Sequence, residues 1–192
     1  MAVGDKQWAL NQLRHARNSY LFTLAGLRLL NSPAVLDLRH RLIVLTPNEI
    51  VWDPDNSDRL GARSEFHLDQ LINDYENARV NYDASLLELY KFVRRNLVTE
   101  SFEVTRTYAV KVGISSKWRA EPWHQVARIV RNAIAHDFTI SFDKHAKAAL
   151  PITWAGKTID LTMEGSEVTN GLLDPVFTVS LISGMQDFVE RN

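Results

Sequence analysis

The chain has 192 residues, no cysteine, and 22 Lys+Arg against 23 Asp+Glu, for a formal net charge of −1. Its length suits a single domain, and 45% hydrophobic with 23% charged residues is an ordinary globular composition, not that of a disordered tail, a collagen-like repeat or a disulfide-stapled scaffold. The absence of cysteine removes thiolate catalysis, CxxC redox chemistry, Fe–S clusters and cysteine-ligated zinc.

Residues 5–30 are expected to form one long helix, because Leu10, Leu13, Arg17, Tyr20, Leu21, Leu24 and Leu27 recur at spacings of three and four. Asn31-Ser32-Pro33 ends it, since proline disfavours helix in the residue before it. Residues 34–41 suit a short helix. Leu42–Leu45 and Ile50–Trp52, two apolar runs around a Thr46–Glu49 turn cluster, suggest a small hairpin near 42–52, and 53–58 a polar loop. The stripe Leu68, Leu71, Ile72, Tyr75, Tyr82, Leu86, Leu89, Val93 predicts a long helix over 66–98, with a shorter one near 104–112 and a break at Ser115-Ser116-Lys117. Residues 122–137 suit a helix with proline in its first turn and Val126, Ile129, Val130, Ala133 and Ile134 buried. Residues 152–161 suggest a hairpin turning at Ala155-Gly156, and 172–189 a final helix. The expected architecture is mainly all-α: one domain over 1–192, a bundle of four to five helices with one or two small β-hairpin insertions near 42–52 and 152–161.

No stretch approaches the roughly 18 apolar residues of a membrane span. The N-terminus turns charged at Asp5 and Lys6 without a signal-type apolar core, so a cytoplasmic location and no membrane partner are expected. Charge is unevenly spread: residues 91–147 hold 11 basic and 5 acidic side chains, against 9 and 12 in 1–90 and 2 and 6 in 148–192. Such a segment favours a polyanion; the alternative is a solvated helix face that the flanks neutralise in three dimensions.

Phosphate loops, dinucleotide fingerprints, HExxH and GxSxG are all missing, and nothing suggests a cofactor. The segment that carries chemistry is Arg128-Ile-Val-Arg131-Asn132-Ala-Ile-Ala-His136-Asp137. On a helix Asn132 and His136 lie roughly 40° apart and one turn along. Arg131 lies further round but reaches by its long side chain. A permanently charged planar guanidinium, an amide and an imidazole titrating near neutrality suit a phosphodiester: the arginine forks onto phosphate oxygens and the histidine moves a proton. Arg119 and His124 have the same spacing but straddle Pro122, so one helix cannot present both.

The Arg131–His136 segment resembles the RNx3H form of the Rx4–6H motif of the HEPN superfamily. These are all-helical domains, many of them metal-independent endoribonucleases of toxin–antitoxin, abortive-infection and CRISPR-linked defence systems. The order of elements is similar too: two long helices, the motif near the end of a later helix, then a final helix. The resemblance implies that Arg131 polarises the scissile phosphate, that His136 is the general acid/base, and that Asn132 positions either. It further implies a homodimer with a composite cleft, RNA cleaved by its own 2′-OH to a 2′,3′-cyclic phosphate and a 5′-OH, no metal or other cofactor, and a possible antitoxin partner. Arg128, Lys117 and Arg119 are the candidate substrate-binding cations, and Trp118 and Trp123 could stack on bases.

Three other readings compete. The motif could be plain helix surface, with His136 a last-turn cation and Asp137 its partner. The domain could be a non-catalytic helical module that binds RNA or protein. The His136-Asp137 doublet could belong to a metal-dependent phosphohydrolase, with ligands drawn from His124, Asp143, His145 or Asp160, although none of these has a helix-face spacing to it.

Overall fold

The computed structural model describes residues 4–30, 43–44, 64–65, 82–169 and 171–192. Six α-helices, two two-stranded antiparallel sheets and a 3-10 turn make up these residues, so the fold is all-α with small β additions. The chain divides into two compact units, one of Met1–Phe22 with Tyr90–Asn192 and one of Thr23–Leu89. No helix among the described residues is long and apolar enough to cross a membrane.

In the smaller unit, β1 (Ile43–Val44) pairs antiparallel with β2 (Ser64–Glu65), Ile43 opposite Glu65. The 50–52 run expected to pair with 43–44 lies outside the described residues, as do the helix expected at 34–41 and the 66–81 part of the one expected over 66–98.

Helix α1 (Lys6–Leu30) begins at Asp5, whose carboxylate accepts the Trp8 amide at 2.6 Å. Helix α2 (Tyr82–Lys111) is continuous through 99–103, where the sequence suggested two helices. No Gly or Pro interrupts it, and the Thr105 hydroxyl returns to the Ser101 carbonyl at 2.7 Å without breaking the ladder. Gly113 stops it: at φ +74 it lets the Ile114 amide reach the Ala109 carbonyl and its own amide reach Val110, a Schellman closure.

Ser115-Ser116-Lys117, expected as a break, opens the six-residue α3 (Ser115–Ala120), which Trp118 anchors by burying its ring. Helix α4 (His124–Ala135) buries the whole expected stripe. That leaves Gln125, Arg128, Arg131, Asn132 and Ala135 on its outer face, the arc not used by the core. Asp143 caps α5 (Lys144–Ala149), a short helix between α4 and the following hairpin. β3 (Ile152–Trp154) and β4 (Lys157–Ile159) form the expected hairpin; Ala155 and Gly156 both have positive φ, as a type I′ turn requires. A 3-10 turn (Leu161–Met163) precedes α6 (Pro175–Arg191), which starts later than expected because Asp174 caps it and Pro175 takes its first position. Leu13, Tyr108, Val130, Leu181, Met185 and Phe188, drawn from α1, α2, α4 and α6, are almost wholly buried in the core.

Candidate functional site

The apolar stripe fixes the rotation of α4, and the helix end fixes the rest. His136 is its C-cap, with φ −110 and ψ 52, and its amide donates to the carbonyls of Ala133 at 3.0 Å and Asn132 at 3.1 Å. Asp137 and Phe138 then adopt φ +54 and +60. Left-handed backbone costs a non-glycine residue about 1–2 kcal/mol, so the chain leaves α4 through a strained reversal. That reversal is held from beyond: Val168 donates to the Phe138 carbonyl at 2.7 Å, and Ile140 exchanges backbone bonds with Ser166 and Gly165.

The His136 imidazole stands in solvent, with no hydrogen-bond or ion-pair partner among the described residues. The suggested Asp137–His136 pair is not formed. Arg131 is half-exposed; its Nη2 donates to Glu103 Oε1 at 3.0 Å and its Nη1 to Asn132 Oδ1 at 3.4 Å. Asn132 thus orients the guanidinium rather than the imidazole. A guanidinium has five N–H donors, so Arg131 keeps several for a phosphate. Glu103 also holds Arg106 at 2.8 Å. Its part could not be read from the sequence, because it arrives from α2, 28 residues upstream.

The other candidates separate. Arg128 forks onto Asp143 at 3.2 and 3.4 Å and also donates to Gln125, so a carboxylate already compensates its charge. The Asp143 carboxyl lies below its ordinary range, first because the Ala146 amide donates to it and then because Arg128 faces it. Lys117 and Arg119 are exposed on α3, which adjoins the start of α4 through the Trp118–His124 ring contact at 4.3 Å. Helix α4 is about 18 Å long, and His136 closes its other end, so these two cations do not join the site. Trp118 and Trp123 are buried, at 6% and 2% exposure, in an aromatic cluster with Phe102 and His124. They pack; they do not offer faces to bases.

His124, with the same spacing to an arginine as His136, is the buried histidine of the pair. Burial first, then the Arg128 and Arg119 charges, lowers its imidazole from the ordinary 6.5 to about 4. Of the other ligands suggested for a metal, Asp143 and Asp160 are spent capping α5 and the 3-10 turn. No three His, Asp or Glu side chains converge as a metal site among the described residues.

Comparison with protein-family models, with curated proteins and with solved structures found no match.

Proposed function

We propose that the chain is a metal-independent endoribonuclease of the HEPN type, acting through Arg131, Asn132 and His136. The observation that carries this reading is the open end of α4, where a guanidinium oriented by Asn132 and an unpartnered, exposed imidazole occur together. Arg131 would hold the non-bridging oxygens of the scissile phosphate and offset the charge that builds on them. The RNA's 2′-oxygen attacks phosphorus, the P–O5′ bond breaks, and a 2′,3′-cyclic phosphate and a 5′-OH result. One proton leaves the 2′-OH and one arrives at O5′. In a homodimer with facing sites, the two copies of His136 would divide these transfers between them. A defence setting with an antitoxin partner belongs to the same proposal and rests on the motif alone.

The Arg131–Glu103 ion pair favours a second reading, in which Arg131 is structural and the domain binds RNA or protein without cutting. RNA cleavage in EDTA, comparing wild type with Arg131→Ala and His136→Ala of unchanged mass and fold, separates the two. Cyclic-phosphate ends from wild type, reduced at least a hundredfold in both variants, support the nuclease. Intact RNA with pure wild type sinks it, and cleavage that survives both substitutions means another site acts.

A further inference from the structure

We propose that Arg95 is a substrate-binding residue, holding a backbone phosphate of single-stranded RNA next to the one cleaved; the proposal rests on the ribonuclease reading above. Arg95 lies on α2, and its guanidinium carbon is 5.2 Å from the centre of the Phe138 ring. Phe138 is the second residue after His136 and is 2% exposed. Lys91 Nζ, one turn earlier on α2, stands 5.8 Å from the same ring. The strained reversal at Asp137 and Phe138 therefore does more than end α4. It carries an aromatic platform from the histidine to a pair of cations on another helix, and the Val168–Phe138 backbone bond fixes it there.

Charge compensation separates Arg95 from Lys91, the other cation over Phe138, and from the arginines around the motif. Arg131 and Arg106 share Glu103, Arg128 has Asp143, and Lys91 has Glu167 at 3.2 Å. Arg95 is exposed and has no carboxylate partner among the described residues. Its guanidinium carbon lies over the Phe138 ring, where the ring's electrostatics favour a cation, and none of its N–H groups has a hydrogen-bond acceptor among the described residues. Those N–H groups are what a phosphate's paired oxygens engage, and a guanidinium held over a ring loses less freedom in engaging them. The substrate proposed is a single strand, whose flexible backbone can adapt to bring phosphates to both Arg131 and Arg95.

The test uses the full chain and a fluorescein-labelled single-stranded RNA, 2′-O-methylated throughout so that 2′-oxygen attack is blocked. Binding is followed by anisotropy from roughly 50 to 300 mM salt, where each lost phosphate contact lowers the slope of log K against log salt by about 0.7. Arg95→Gln is expected to weaken binding severalfold and to lower that slope by about 0.7, with an unchanged unfolding midpoint. Arg95→Lys, which keeps the charge and loses the planar fork, is expected to keep the slope and lose part of the affinity. A slope in Arg95→Gln equal to that of wild type overturns the proposal, as does a slope lost equally in Arg95→Lys. Cleavage of unmodified RNA in EDTA, run in parallel, separates the two claims. RNA bound with an Arg95-dependent slope but never cut removes the nuclease reading and keeps the phosphate contact. RNA cut by wild type and Arg95→Gln with the same KM and the same kcat removes Arg95 and keeps the nuclease.

Discussion

His124 and His136 occupy the two ends of one helix and have opposite chemistry. His124 is pressed edge-on to Trp118, and its Nδ1 is buried without a partner. A proton on it would place a charge inside an aromatic cluster beside two arginines. Its pKa falls to about 4 in the fold from 6.5 unfolded, so the unfolded chain binds that proton first. The stability contribution is complete above pH 6.5 and is lost as pH falls toward about 4. The unfolding free energy should therefore drop across this window, at most by about 1.4 kcal/mol per pH unit from this group. His124→Phe should flatten that part of the profile in chemical denaturation followed against pH; an unchanged profile would show that His124 does not carry it. Arg131 makes the complementary point: its position in sequence marks it as a phosphate ligand, yet the partner that modulates it, Glu103, comes from a different helix.

At the scale of elements, helix ends decide what the site looks like. Asp174 accepts the Phe177 amide at 2.8 Å and meets Lys157 of β4 at 3.0 Å, so one carboxylate starts α6 and ties it to the β3–β4 hairpin. Asp174→Ala should cost about 1 kcal/mol, a fall of about 2–4 °C in the unfolding midpoint for a chain of this size. Asp174→Asn should recover most of it by keeping a cap acceptor. Equal losses in the two would assign the effect to the Lys157 pair instead. The same α6 approaches the start of α4 closely: a Cβ on Gly184 would come within 3.0 Å of Trp123 Cδ1, which explains a glycine inside a helix. Element boundaries were less legible than element cores. The stripe of α4 was plain in the sequence because its buried residues recur at helical spacing. The continuity of α2 was not, because Thr99 and Ser101 are weaker helix formers and Ser101, wholly buried, is held in the helix by packing. The short helices α3 and α5 were missed because six residues hold too little periodicity; a buried Trp118 and an Asp143 cap make them.

At the scale of the molecule, the proposed nuclease requires two copies. Specific activity per chain should therefore fall on dilution through the dimer dissociation range, in step with the loss of dimer seen by sedimentation. Activity that stays constant while the dimer dissociates would show that a single copy suffices. The excess of positive charge in 91–147 has a partly bland outcome, since Glu103, Asp143 and Glu167 neutralise most of the cations near the motif.

The all-α class, the buried stripe of α4, the 152–161 hairpin and the grouping of Arg131, Asn132 and His136 at one helix end all follow from local pattern. Periodicity, turn chemistry and helix geometry act over a few residues, so the sequence by itself determines them. Which of two equally spaced histidines is buried, which arginines are already paired, and that Phe138 turns back beneath Arg95 depend on contacts between residues far apart in the chain. Such contacts form only when burial and backbone pairing close the fold around them, so the tertiary structure alone decided them.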